Sequence, residues 1–321
     1  MKEINFTNID GIKLGHYSDI ENGTGCSVVI CEEGASCGVD VRGGAPGTRE
    51  TDLLDPSEMV QSVHSVVLSG GSAYGLDSCS GVMEFLESKG IGFKVSSHIV
   101  PIVCGAVLFD LDTGNPLIRP DKSMGYKACE NAYSTPNNNQ GNIGAGVGAT
   151  VGKILGPLSA MKGGLGTYAV EVNGLQVGAI VAVNAIGNIK CPDTLEDIAG
   201  PLVNNSIVST EDIMINSFNT ENSYKGNTTI ACIVTNAKFN KAENRKISSM
   251  AHNGFARCIF PCHTMFDGDT IFTMSTGKVS GDINLVGLLS RICVEKAIIN
   301  AVKSSTTLFN IPSYDDIRRQ N

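Results

Sequence analysis

Short apolar runs alternate with glycine-rich turns and amphipathic segments along this chain, a pattern typical of mixed α/β proteins. Residues 26–31 and 63–68 have the composition of short buried strands. Apolar residues then recur at helical spacing over residues 76–86, and Gly90 follows as a stop signal. This order of strand, glycine turn and helix predicts a layered α/β fold.

A β-hairpin is the clearest local prediction. The apolar runs 168–172 and 176–183 are separated by Asn173-Gly174, a dipeptide that favours the tight turn between antiparallel strands. The hairpin places Asn184 at the end of its second strand. A polar side chain at that position can face whatever lies beyond the edge of the sheet.

Two helices are predicted in the last third of the chain. Asn240 and Glu243 have the spacing of a capping box, in which each side chain bonds the backbone N–H of the other. Apolar residues at helical spacing follow this cap. Another helix is expected over about residues 282–302.

A polar segment meets an apolar strand abruptly at residue 228. Asparagine, serine, threonine and glutamate dominate residues 203–227, which predicts an exposed and mobile segment. From Thr228 the sequence reads TTIACIV, a β-branched run typical of a strand buried on both faces. The junction between Asn227 and Thr228 therefore joins a polar leader to the core.

Composition restricts the class of protein. With 42% hydrophobic and 17% charged residues the chain can bury a large core. A net charge of −8 without a basic stripe argues against nucleic acid as a partner. Eleven scattered cysteines without a CxxC pair indicate reduced thiols, a cytoplasmic location and no metal site. A polar N-terminus and the lack of an apolar run of about 20 residues predict no signal peptide and no membrane span.

A glycine-rich run at residues 144–153 is similar to a phosphate-binding loop but departs from that motif. Val147 occupies the first glycine position, and Ile154 occupies the Ser/Thr position. Close backbone approach between packed elements, or a substrate-facing loop, explains the glycines better. No nucleotide or other cofactor is expected.

Two aspartates flank a glycine in Asp267-Gly268-Asp269. Lys278 stands where a calcium loop requires a bidentate glutamate, which argues against calcium. Two residues apart in extended backbone, both carboxylates point to one side, where they could order an ammonium or hydroxyl group. A solvated turn before the strand 271–274 explains them equally well when they are considered alone.

Thr228 is a candidate nucleophile if it becomes an amino terminus. A threonine hydroxyl needs a base, and an N-terminal threonine has one in its own α-amino group, whose ordinary pKa is about 7.7–8.0. Attack of the Thr228 hydroxyl on the Asn227 carbonyl would break the chain there and leave an ester for water to hydrolyse. An ordinary loop that enters a strand is the alternative.

Five blocks along the sequence resemble the DmpA-type aminopeptidase family, which includes nylon-oligomer hydrolases. They are RGGAPGTRET at 42–51, LSGGSAYGL at 68–76, MKGG at 161–164, NTT at 227–229 and HTMFDGDT at 263–270. The resemblance extends from about residue 10 to about residue 310. It implies a single domain with a four-layer αββα sandwich, like the N-terminal-nucleophile hydrolases, cut once into chains 1–227 and 228–321.

The resemblance also implies a set of site residues: Thr228, Lys162, Asn184, Asp267, Asp269 and Tyr126. Thr228 would be the nucleophile, and the two aspartates would orient it and its ammonium group. Lys162 would lower the pKa of the hydroxyl or shuttle a proton. Asn184 would donate to the oxyanion. Tyr126 would be a second polar contributor, with Tyr74 as its alternative.

The function that follows is hydrolysis of small amides or peptides through an acyl-enzyme on Thr228. Two alternatives remain: an acyltransferase similar to ornithine acetyltransferases, and a non-catalytic protein that binds a metabolite. The resemblance further implies a homo-oligomer of αβ heterodimers. Asn236 and Met265 stand where the family pattern has aspartate and proline, and both substitutions could reshape the pocket.

Overall fold

Helices cover the outer faces of two stacked sheets in the computed structural model, which describes residues 1–134, 137–217 and 226–319. Within residues 1–134 the strands are β1 (Lys2–Ile4), β2 (Lys13–Asp19), β3 (Thr24–Val41), β4 (Thr48–Arg49), β5 (Val63–Ser69), β6 (Phe93–Val95), β7 (His98–Val100) and β8 (Val103–Val107). Residues 137–217 add β9 (Thr150–Val151), β10 (Met161–Lys162), β11 (Gly164–Val172), β12 (Leu175–Asn184), β13 (Asn188–Lys190), β14 (Asp197–Ala199), β15 (Leu202–Val203) and β16 (Ser206–Ile207). Residues 226–319 add β17 (Thr228–Ala237), β18 (Ile259–Phe260) and β19 (Thr270–Val279).

Six α-helices accompany these strands within the described ranges. They are α1 (Ser78–Ser88), α2 (Lys122–Ser134), α3 (Thr210–Asn216), α4 (Lys241–Cys258), α5 (Ile283–Lys303) and α6 (Tyr314–Arg318). None of the described helices is both long and apolar enough to cross a membrane.

The long strand β3 belongs to both sheets. Its residues 24–30 pair with β2 and β5, and its residues 36–41 pair with β19. The strand order is β1-β11-β12-β17-β19-β3-β5-β8-β4, with β2 beside β3. A register shift between Ile30 and Ala35 separates the two halves. The strand therefore passes from one sheet of the sandwich to the other.

Three apolar clusters lie between four layers and confirm the predicted αββα sandwich. The first joins α4 and α5 to the sheet of β11, β12, β17 and β19, with Phe255 and Val294 among its members. The second lies between the sheets and includes Leu68 and Phe272. The third joins α1 and α2 to β3, β5 and β8, with Phe85 among its members. Burial of these faces holds the layers together.

Several local predictions are confirmed. Strands β11 and β12 form the expected hairpin, and positive φ angles of 52° at Asn173 and 84° at Gly174 fit the turn type that the dipeptide favours. Helix α4 begins with a capping box between Asn240 and Glu243. All ten residues of β17 are buried, as expected for a central strand in a sandwich.

The polar segment before β17 contains more regular structure than its composition indicates. Residues 203–217 include the end of the β15–β16 hairpin and helix α3, whose first turn is capped by the Ser209 hydroxyl. Most of their side chains are exposed or partly exposed, as predicted. The rest of the predicted mobile segment, residues 218–225, lies outside the described residues.

Strand β11 and helix α5 approach so closely that Gly166 is required between them. A Cβ at this position would lie 2.0 Å from the Ala297 carbonyl oxygen and 2.5 Å from the Ala301 nitrogen. We expect Gly166→Ala to lower the free energy of unfolding by about 1–3 kcal/mol through overpacking, measured by urea denaturation. Glu171→Ala, a partly exposed control on the same strand, should change it by less than about 0.5 kcal/mol. Equal effects would contradict the close packing.

Candidate active site

Three strand ends meet at one edge of the central sheet. Strands β17 and β19 are parallel, so both begin at this edge. Strand β12 is antiparallel to β17 and ends there, with Asn184 directly opposite Thr228. Asn227 forms a parallel bridge with Asp267 in the loop before β19. The topology thus brings together residues that are far apart in sequence.

Thr228 is enclosed by backbone at this edge. Its side chain is buried, and its Oγ1 is in contact with the carbonyl oxygen of Asn227, the residue before it. The Gly268 N–H donates to the same Oγ1 at 3.1 Å. A Cβ on Gly268 would lie 2.8 Å from this oxygen, so glycine permits the approach. The hydroxyl lies beside the peptide bond that self-cleavage would break.

The paired aspartates hold the backbone around Thr228. Asp269 accepts from the Thr229 N–H at 2.7 Å through one oxygen. Its other oxygen accepts from the His263 N–H at 3.0 Å and lies 2.8 Å from the His263 Nδ1. Asp267 accepts from the Thr264 hydroxyl at 2.6 Å and the Thr264 N–H at 2.9 Å. Both carboxylates are therefore fixed before any substrate arrives.

Burial acts strongly on Asp267. Burial, and secondarily the negative charge of Asp269, raises the pKa of Asp267 to about 6, although the hydrogen bonds from Thr264 oppose the shift. A carboxyl with a pKa in this range can exchange a proton close to neutral pH.

Asn184 is held by a buried lysine. Lys153 Nζ donates to the Asn184 side-chain oxygen at 2.7 Å and to the Asn184 backbone oxygen at 3.1 Å. The Thr150 N–H donates to the same side-chain oxygen at 3.0 Å. The Asn184 side-chain nitrogen donates to the Phe109 carbonyl at 2.8 Å. Because an amide nitrogen carries two hydrogens, one of them remains for a further acceptor.

Two buried lysines lie in this region, and only one contacts Asn184. Lys162 Nζ donates instead to the carbonyls of Val147 and Ala149, at 2.7 and 2.8 Å. Burial lowers the pKa of Lys153 to about 7 against the opposing charge of Asp267. Burial also lowers the pKa of Lys162 to about 7. The geometry therefore favours Lys153 over Lys162 as the lysine that acts on Asn184.

The two tyrosines considered from the sequence make their described contacts elsewhere, and a role for Tyr126 in the site stays a prediction. Tyr126 is on α2, and its ring packs edge-on against Phe85 at 5.2 Å, because this face of α2 packs against α1. Tyr74 is 60% exposed and stacks with Arg119 at 4.0 Å. Spacing along the chain does not reveal which way these rings point.

A cavity of about 310 Å³ opens beside Thr228. The described residues that line it are all uncharged: Ala45, Pro46, Gly47, Ser72, Ala73, Val107, Leu108, Phe109, Gly226, Asn227, Thr228, Met265 and Phe266. The volume is suited to a small amide substrate. Among the described residues, no group of three or more His, Cys, Asp or Glu side chains is placed to hold a metal ion.

Sequence reasoning missed Lys153, His263 and Thr264. Lys153 ends the glycine-rich run that was compared with a phosphate loop, and its signal was a lone charge in an otherwise apolar stretch. His263 and Thr264 lie in the block that carries the aspartates, in the loop before β19, where their closeness in sequence to Asp267 and Asp269 could have suggested contact. The role of the Phe109 carbonyl had no sequence signal, because backbone groups are the same in every residue.

Comparison with known proteins identifies the family. The family model "Peptidase family S58" matches residues 5–311. The chain belongs to this family. An uncharacterized aminopeptidase of Mycobacterium tuberculosis (strain ATCC 25618 / H37Rv) is 36% identical, over 97% of this chain and 97% of its own. A 6-aminohexanoate-oligomer endohydrolase of Kocuria sp. (strain KY2) is 27% identical, over 92% of this chain and 81% of its own.

Solved structures support the fold of this S58 peptidase. The L-aminopeptidase D-Ala-esterase/amidase of Ochrobactrum anthropi, described as a variant of the Ntn hydrolase fold, superposes with a TM-score of 0.72. The alignment covers 98% of this chain and 93% of that one at 17% identity. The family match and the curated relatives confirm the resemblance to the DmpA-type family, and with it an amide or peptide hydrolase.

The buried Lys153 predicts how stability depends on pH. Its folded-state pKa of about 7 is below the ordinary value of 10.5, so the unfolded chain binds more protons between these values. The free energy of unfolding should therefore rise with pH across this window. The Thr228→Ala variant serves as the background, because it should remain one intact chain. In this background Lys153→Met should lower the slope of the unfolding free energy against pH by up to about 1.4 kcal/mol per pH unit. Urea denaturation at pH 7, 8 and 9 measures the slope, and an unaltered slope would contradict the buried, readily deprotonated lysine.

Proposed function

We propose that this S58 peptidase cuts itself between Asn227 and Thr228 and then hydrolyses amides with Thr228 as its N-terminal nucleophile. The observation that carries the proposal is the position of the Thr228 hydroxyl, in contact with the Asn227 carbonyl oxygen and bonded by the Gly268 N–H. The cut would yield chains 1–227 and 228–321. Family membership supports the hydrolytic chemistry.

Self-cleavage would proceed in two steps. The Thr228 hydroxyl loses its proton and its oxygen attacks the Asn227 carbonyl carbon; the C–N bond then breaks and the nitrogen takes up a proton. The product is an ester between Asn227 and the Thr228 side chain. The α-amino group of Thr228 is already free in this ester. Water then hydrolyses the ester, which restores the hydroxyl and leaves a carboxylate on Asn227 as the end of the first chain.

Turnover would repeat the chemistry on a substrate amide. The Thr228 α-amino group accepts the hydroxyl proton, and the oxygen attacks the substrate carbonyl. The leaving amine takes the proton, and water then hydrolyses the acyl-enzyme. A small amide or peptide is the substrate class that the cavity volume fits.

Asn184 and Lys153 are our candidates for stabilising the oxyanion. Asn184 lies opposite Thr228 across the strand pair and has one amide hydrogen beyond its bond to Phe109. Lys153 holds the amide oxygen, which fixes the direction of the amide dipole. Such a preorganised donor is worth about 3–4 kcal/mol in transition-state stabilisation.

Asp267 and Asp269 would position the nucleophile. Asp269 accepts a hydrogen bond from the backbone N–H of Thr229, the next residue along the strand. Asp267 lies beside Asn227, where its bridge aligns the scissile segment. After the cut, the same pair would face the new ammonium group of Thr228. Lys162, which bonds carbonyls of the 147–149 turn, is assigned to support of that turn.

Substitutions at Thr228 test the proposal directly. Thr228→Ala should give a single chain, because the hydroxyl is absent, whereas Thr228→Ser should give the same two fragments as the wild type. Intact mass measurement distinguishes these outcomes. Thr229→Val is the matched control: its buried hydroxyl has no partner among the described residues, and the variant should still cleave. Cleavage of Thr228→Ala at the same bond would disprove the proposal.

The two buried lysines provide a second test. Lys153→Met should slow self-cleavage by roughly 100-fold, since it removes the group that orients Asn184. Lys162→Met, a change of the same size and burial, should slow it by less than about tenfold. The conversion of precursor into fragments is followed on denaturing gels after cell-free synthesis, with circular dichroism to verify folding. The opposite order of effects would assign the role to Lys162.

A further inference from the structure

His263 bonds one of the two aspartates beside the nucleophile, and the proposed mechanism gives it no part. The inference drawn from it rests on the proposed function, in which Asp269 positions the nucleophile. His263 lies in the loop between β18 and β19. Its ring nitrogen Nδ1 lies 2.8 Å from one carboxylate oxygen of Asp269, and its backbone N–H donates to the same oxygen at 3.0 Å. The other oxygen accepts from the Thr229 N–H, so the carboxylate links His263 to β17.

The hydrogen of the ring contact belongs to His263. Both oxygens of Asp269 accept backbone N–H bonds, as an ionised carboxylate does, and such a group has no hydrogen to donate. Nδ1 therefore carries the hydrogen and donates to Asp269. Hydrogen bonds to a charged acceptor are among the stronger ones in proteins. Because Asp269 is only 2% exposed, water cannot readily replace this donor.

The backbone of Asp269 is held by other residues. Its carbonyl oxygen accepts from the N–H groups of Arg42 at 2.9 Å and Gly43 at 3.2 Å. Directly after it, β19 pairs with β17 on one side and with β3 on the other. Loss of the His263 ring should therefore free the carboxylate and leave the backbone in place. A carboxylate that rotates away releases the Thr229 N–H, which it accepts at 2.7 Å.

The ring of His263 is itself held in one orientation by helix α4. It packs edge-on against the His252 ring, with 4.8 Å between centroids, and lies 6.0 Å from the Phe255 ring. His252 Nε2 donates to the Asp40 carbonyl at 2.9 Å, and burial lowers the pKa of His252 to about 4. A neutral ring therefore supports His263 at neutral pH. The φ of 60° at His263 is uncommon outside glycine, and such backbone strain is concentrated at functional sites.

We propose that His263 is a positioning residue whose Nδ1–H holds the Asp269 carboxylate in place. Through its bond to the Thr229 N–H, that carboxylate orients the adjoining Thr228 hydroxyl towards the scissile carbonyl. No proton of the reaction passes through the ring in this role, and His263 is not among the described residues that line the cavity. What the role requires is a donor nitrogen at this place, on a backbone with positive φ.

Asparagine and aspartate at position 263 form a matched pair for the test. Both tolerate positive φ and have the same size, but only asparagine has an N–H in the place of Nδ1. Self-cleavage at pH 8, followed on denaturing gels after cell-free synthesis, should stay within about fivefold of the wild-type rate in His263→Asn. It should slow by about 30-fold or more in His263→Asp, with circular dichroism to verify folding. Equal rates in the two variants would show that His263 merely fills space.

The position of the Asp269 carboxylate can also be measured without cleavage. In the Thr228→Ala chain, NMR with isotope-labelled threonine should show a downfield Thr229 amide proton, because this N–H donates to a carboxylate at 2.7 Å. Its signal is assigned by its loss in Thr229→Val. Adding His263→Asp should move the signal upfield, whereas adding His263→Asn should leave it in place. A signal unmoved by the aspartate would overturn the inference; a wild-type chain that never cuts itself would instead overturn the proposed function.

Discussion

The register between three strands is the constraint on which the site depends. Strand β17 lies between antiparallel β12 and parallel β19, so the end of one neighbour and the start of the other meet at Thr228. A one-residue slip of β17 would turn every side chain to the opposite face. Burial of all ten β17 residues makes that slip costly. The packed core thereby fixes the position of a hydroxyl at the sheet edge.

Around this edge the protein retains several ionisable groups in low-dielectric surroundings. Burial raises the pKa of Asp110 to about 6, in the same direction as the shift at Asp267, while both buried lysines are shifted downward. The charge of Asp110 acts on both lysines and opposes their deprotonation. Carboxyl groups whose pKa is raised towards neutral pH and amines whose pKa is lowered towards it can exchange protons with small changes in free energy.

Much of the fold could be predicted because its signals are local. The Asn173-Gly174 turn fixed the hairpin and with it the position of Asn184, and the β-branched run after Thr228 identified the central strand. The choice between Lys153 and Lys162 was not local: strands β9 and β10 pair Thr150 with Lys162, which brings both lysines into one region. Only the three-dimensional path of the 150–162 segment decides which ammonium reaches Asn184. The choice between Tyr126 and Tyr74 was likewise not local, since spacing along the chain does not say which way each ring points. Helix α3 was hidden because its residues, capped by Ser209, are mostly polar.

The residue that carries the acyl group during turnover is the most direct test of Thr228 as the nucleophile. The enzyme is incubated with a slowly hydrolysed N-blocked ester, quenched in acid and digested. The mass of the acyl group should then be found on the peptide that begins with Thr228, on the side chain of that residue. An acyl group on any other residue, or rapid hydrolysis by a chain in which the bond between Asn227 and Thr228 is still intact, would contradict the account.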